Sequence, residues 1–249
     1  MKSTARTFGL ALIALGGGAV GLGLRILMYA TGIDEKGLLI RNHPLDILCW
    51  ILALALGVLF FVAVRRQEGT CEYGDNFSAS VTAALGCFAA AGGSLVLGLQ
   101  LRNVVADTLS DLWRILALLS AVAFGFTGWC RLKGKRPVFF FHMVICLFFC
   151  IHTICNYRIW SSNPQVADYA FPLLACVFLG MIALYRAAFD VEVARPKKVM
   201  FASLMAGFLC LFSLVGPEYR IFYLFNGIWA ISGILPPFVR SQEAEEKEV

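Results

Sequence analysis

Residues 79–101, ASVTAALGCFAAAGGSLVLGLQL, carry no charged side chain. At a helical rise of about 1.5 Å per residue the run reaches roughly 35 Å, enough to cross a hydrocarbon layer of about 30 Å. Gly86, Ala90, Ser94 and Gly98 recur every four residues, so a helix here presents one stripe of small side chains. Such a stripe lets helix backbones approach closely, where dispersion and weak Cα–H contacts replace the missing hydrophobic drive. The expectation is a membrane-spanning helix at the centre of a bundle.

Seven further apolar runs flank it, at 7–30, 46–64, 112–130, 137–156, 169–188, 199–216 and 219–239. A mean hydropathy of +0.77, with only 15% charged residues, departs from soluble composition in the same direction. The longest connection is 31–45, so no soluble domain fits between spans. The fold class read from this pattern is an all-α membrane protein, a single domain of about eight transmembrane helices.

The connections alternate in charge. Segments 1–6, 65–78, 131–136, 189–198 and 240–249 hold thirteen Lys and Arg, whereas 31–45, 102–111, 157–168 and 217–218 hold four. Basic connections stay on the cytoplasmic side, which predicts an N-in/C-in topology. Lys2 and Arg6 precede an apolar run too long for a signal-peptide core, so the first span is expected to be retained. The net charge of +5 suits a lipid bilayer with anionic headgroups. No nucleic-acid partner is expected, because no aromatic-basic module accompanies that charge.

Two helical pairs read alike. Asp111-Leu112-Trp113 leads through Arg136-Pro137 to Tyr157-Arg158-Ile159-Trp160, and Asp168-Tyr169-Ala170 leads through Arg195-Pro196 to Tyr219-Arg220-Ile221-Phe222. An internal hairpin repeat is one reading. The other is that helix dipoles favour Asp at a start and Arg at an end wherever helices alternate. Ala117, Ala121 and Gly125 on the fourth span, and Gly17 and Gly21 on the first, extend the small-residue pattern. The first-span pair also suits a homodimer or a larger membrane complex.

Charges in hydrocarbon are costly, so their placement is informative. Arg25, Arg102, Asp107, Asp111, Arg114, Arg158 and Asp168 fall on the extracytoplasmic side, joined by His152, Asn156 and Asn226. Arg186, near the inner end of the sixth span, is the exception. One reading is a polar crevice for a small polar or zwitterionic ligand, with Arg25 and Arg114 foremost because apolar sequence encloses each. The other is mutual neutralisation of helix ends, since seven basic and seven acidic residues balance on that side.

On the fifth span His142, Cys146, Cys150, Thr153 and Asn156 are expected on one face. His142 and Cys146 have metal-ligand spacing, but His152 lies about 15 Å further along the axis, so no metal site and no cofactor are expected. Eight of the nine cysteines fall in spans and read as reduced packing residues. Hydrolase, zinc-protease and phosphate-loop motifs are absent from the sequence.

Tyr157-Arg158-Ile159-Trp160-Ser161-Ser162-Asn163-Pro164, continuing to Val166-Ala167-Asp168-Tyr169-Ala170-Phe171, resembles a small family of Firmicutes integral membrane proteins. Tyr29, Thr31-Gly32, Gly37-Leu38 and His43-Pro44 add to that resemblance. It implies a bacterial plasma membrane and no particular activity. Three classes of function therefore stay open: a small-molecule transporter or its membrane subunit, a non-transporting assembly partner, and a membrane enzyme on a lipid-like substrate.

Overall fold

A computed structural model describes residues 2–32, 43–66, 79–101, 108–161, 169–191, 193, 195–215 and 219–235. They form eight helices: α1 (Lys2–Thr31), α2 (Pro44–Arg65), α3 (Val81–Gln100), α4 (Thr108–Lys133), α5 (Phe139–Trp160), α6 (Ala170–Asp190), α7 (Pro196–Phe212) and α8 (Arg220–Ser232). Six of them, α1 to α6, are long and apolar enough to cross a membrane. With 17 and 13 residues, α7 and α8 reach only about 25 and 20 Å.

Local chemistry sets several helix ends. Pro44 and Pro196 stand in the first turns of α2 and α7, where the missing N–H leaves no bond unmade. The Ser80 hydroxyl accepts from Ala83 N at 3.2 Å to cap α3. Gly134 closes α4 with φ +63°, and Lys135 N donates back to Cys130 O at 2.9 Å, a left-handed stop that favours glycine.

Helices α3, α4, α5, α6, α7 and α8 pack in succession into a ring that closes where α8 meets α3. The α1–α2 pair lies outside it, against α7. Neighbours alternate in direction. The α3 start meets the α4 end through Ser80 N and Arg131 O at 3.1 Å. The α7 start meets the α2 end through Lys197 Nζ and Arg65 O at 3.1 Å. One end of the bundle therefore gathers the basic segments 131–136 and 195–198, and the other gathers the α4 and α8 starts.

The most enclosed helix is α7, not α3. Every residue from Ala202 to Cys210 is buried, because α6 and α8 flank α7 in the ring while α1 and α2 cover it outside. A helix apolar all round is one buried all round. The α3 stripe is used as expected for close approach: a Cβ on Gly86 would meet Ser232 Oγ and come within 3.2 Å of Trp229 Cα. Yet α3 has only two main neighbours, α4 and α8. A small-residue stripe reports how closely a helix is approached, not from how many sides. Likewise Gly17 and Gly21 pack within the chain, on Leu56 and Phe212.

The outward faces are strongly apolar. Leu54 is 71% exposed, Val122 67% and Leu85 61%, a surface suited to lipid and not to water.

Candidate functional site

The ring interior is an aromatic core crossed by a few polar groups. Its chief polar cluster lies toward the less basic end, where α4, α5 and α8 converge. The Trp113 indole Nε1 donates to His152 Nδ1 at 3.0 Å. The Asn156 amide lies 2.9 Å from His152 Nε2. An indole only donates, so Nδ1 is the accepting nitrogen and the ring proton of His152 sits on Nε2. That proton in turn needs an acceptor, which turns the amide oxygen of Asn156 toward the ring and leaves its NH2 on the far side. His152 is thus held as a neutral imidazole by two directional bonds. Phe222, Trp113, Phe148 and Tyr219 enclose it, with centroids at 4.6, 5.3, 5.6 and 6.1 Å.

Tyr219 reaches this position at a backbone cost. It precedes α8 with φ 63° and ψ 30°, a left-handed conformation that a bulky side chain rarely adopts. Its ring packs edge-on against Trp113 at 6.1 Å. One turn below Phe222, Asn226 donates to Phe222 O at 2.9 Å, while its Oδ1 has no partner among the described residues. Asn156 and Asn226 are both 0% exposed. The Ser94 and Ser203 hydroxyls are also buried without a partner among the described residues.

The structure brings only some of the expected site residues together. His152 and Asn156 bond to one another. Asn226 sits a turn from their aromatic neighbour Phe222. Arg114 is half-buried next to Trp113 in sequence, while Asp111 and Arg158 are exposed at the same end. Arg102, Asp107 and Asp168 lie outside the described residues.

Arg25 is placed apart from this cluster. It is 1% exposed and donates from Nη1 to Phe212 O, the last carbonyl of α7, at 3.4 Å. Tyr29, Phe171 and Phe212 rings surround the guanidinium at 5.5–5.8 Å. Asp46, in the first turn of α2, acts on it electrostatically. The same arrangement recurs across the bundle. Arg136 donates to Phe189 O near the end of α6 at 2.8 Å, and Lys197 donates to Arg65 O at the end of α2. Arg186 lies over the Trp229 ring at 4.5 Å and against Gly233 at the end of α8. Arg25, Arg136 and Lys197 thus donate to carbonyls at helix ends of other elements, where the helix dipole stabilises them.

The α5 stripe does not hold as one face. His142 and Asn156 are buried, Cys146 and Thr153 are partly so, and Cys150 is exposed. Spacing by fours drifts about 40° per step on a 3.6-residue helix, so Cys150 swings out to the lipid side. The buried face is instead His142, Ile145, Phe148, Phe149, His152, Cys155 and Asn156. Trp113, the partner that fixes His152, was not among the expected site residues. One signal pointed to it: Trp113, Ser120 and Thr127 recur every seven residues on the buried face of α4. Among the described residues no group of three His, Cys, Asp or Glu side chains converges. The eight described cysteines are unbridged.

No family model, curated protein or solved structure matches this chain.

Proposed function

We propose that the protein carries a small polar or zwitterionic solute across a bacterial plasma membrane, with Asn156 and Asn226 as the solute's hydrogen-bond partners beside His152. One observation carries this reading. Two side-chain amides with no exposed surface stand inside a ring of helices, Asn156 bonded to His152 and Asn226 with its Oδ1 unbonded among the described residues. A buried polar group without a partner costs about 1–3 kcal/mol, and polar groups kept in a membrane interior at such cost mark solute pathways by default. Neutral amide and imidazole groups between aromatic rings suit a compact polar molecule. Arg114 and Asp111, at the same end, supply opposite charges for attracting a zwitterion. Taking the basic end as cytoplasmic, by the excess of Lys and Arg, this cluster belongs to the extracytoplasmic half.

The test is uptake of a panel of amino acids and small betaines into proteoliposomes, paired with thermal-shift screening. Transport of at least one solute is expected, lost in Asn156→Leu and Asn226→Leu variants that still purify as folded protein. Uptake unaffected by both substitutions would remove the site. No uptake at all, with co-purification at fixed stoichiometry in a larger complex, would replace the carrier with an assembly partner.

A further inference from the structure

We propose that the groove between α2, α6 and α7 at the basic end of the bundle binds a phospholipid with an anionic headgroup, one acyl chain in the groove and the phosphate at its rim. This groove, of ≈ 260 Å³, is walled by Phe61, Met181, Tyr185 and Phe201 and edged by Arg65, Lys197 and Lys198. It is remote from the His152 cluster, so it does not depend on the carrier reading.

Two properties together select the ligand class. The walls are hydrocarbon, which offers nothing to a soluble anion but takes an acyl chain at no desolvation cost. The rim carries three exposed cations, two with their charged heads over aromatic rings and one bonded to a backbone carbonyl. Arg65 Cζ stands 4.4 Å over the Phe61 ring, and Lys198 Nζ 5.6 Å over the Tyr185 ring. Lys197 is drawn toward the same rim by its bond to Arg65 O at 3.1 Å. None of the three forms an ion pair among the described residues. Lys197 and Lys198 also follow Arg195 into the first turn of α7, which contains no acidic residue. Positive charge is thereby concentrated at the positive end of a helix dipole, where it is self-repelling unless an anion offsets it. A pure acyl chain would leave that charge unanswered, and a free phosphate would leave the groove unfilled. An anionic phospholipid answers both, and basic pockets between membrane helices on the cytoplasmic side bind such headgroups. The Tyr185 ring, apolar in body and polar at its tip, marks the depth at which headgroup and chain meet.

The experiment compares dipalmitoyl phosphatidylglycerol with dipalmitoyl phosphatidylcholine on the full chain in detergent, by native mass spectrometry and thermal unfolding. sn-Glycerol 3-phosphate serves as the headgroup without chains. A one-to-one phosphatidylglycerol adduct and a raised Tm are expected, with neither from the other two. The R65Q/K197Q/K198Q variant is expected to weaken that adduct roughly tenfold or more. Met181→Trp, which fills the groove from its wall, is expected to weaken it with the rim charges intact. Arg66→Gln with Lys135→Gln, basic-end changes outside the groove, leaves it unchanged. Should the triple variant misfold, the three single substitutions carry the same comparison. Equal effects of phosphatidylcholine, an equal effect of glycerol 3-phosphate, or full binding by the rim variants would each overturn the proposal.

Discussion

Trp113 and His152 join α4 to α5 through a single directed bond, indole Nε1 to imidazole Nδ1 at 3.0 Å. The bond settles three things at once: the tautomer of His152, the orientation of the Asn156 amide, and the register of two ring helices at the less basic end. Trp113 and His152 are both 0% exposed, so neither group has water to fall back on. In an apolar interior the loss of one partner costs more than the loss of both.

Trp113→Phe keeps the ring and removes the donor, leaving His152 Nδ1 buried and unbonded. The expected loss is about 1–3 kcal/mol. His152→Phe removes the Asn156 bond as well, so the double variant is expected to lose less than the sum of the two single losses rather than to return to wild type. Thermal unfolding in detergent of the two single variants and the double one closes the cycle. Strictly additive effects would show that the two side chains do not interact.

Arg25 is expected to act as the C-terminal cap of α7. Arg25→Ala removes a charged donor to Phe212 O and opens space beneath Phe171 and Phe212, lowering stability by about 1.5–3 kcal/mol. Arg25→Met keeps the stem, so its loss is smaller. The readout is unfolding at two salt concentrations; the effect is insensitive to salt because the guanidinium is buried. A wild-type Tm for Arg25→Ala contradicts the capping role.

Two glycines separate close packing from mere composition. A Cβ at Gly86 meets α8 at Ser232 and at the Trp229 backbone, so Gly86→Ala is expected to force α3 and α8 apart at about 1–3 kcal/mol. A Cβ at Gly125 meets nothing within 4 Å, so Gly125→Ala is expected to stabilise by up to about 1 kcal/mol through helix propensity. Paired Tm measurements check the opposite signs, and a shared sign would refute the packing described at α3.

The orientation of the bundle has its own test. Lys135 and Ser161 are exposed at opposite ends. In a background without native cysteines, Ser161→Cys is expected to react with a membrane-impermeant maleimide on intact cells, and Lys135→Cys only after permeabilisation. The reverse pattern would invert the topology.

The helices were legible because hydropathy, span length and helix-end residues are properties of consecutive positions. Eight apolar runs gave eight helices, and Ser80, Pro44, Gly134 and Pro196 mark ends that local chemistry alone dictates. Spacing by four is a weaker guide outside α3. Ala117, Ala121 and Gly125 drift off the buried face of α4, as Cys150 drifts off that of α5, because four residues overshoot one turn. His152, Asn156 and Asn226 were recognised as polar residues in apolar surroundings, a signal confined to the chain.

That the chain is helical, apolar and unevenly charged between its two ends follows from residue types taken in order. That α7 is the enclosed helix, that Trp113 holds His152 and that Arg25 rests on a carbonyl 187 positions away emerges from the packed bundle alone. Those outcomes depend on which faces meet across the ring. Side chains far apart along the chain settle that jointly, through volume and hydrogen-bond complementarity that no single segment contains.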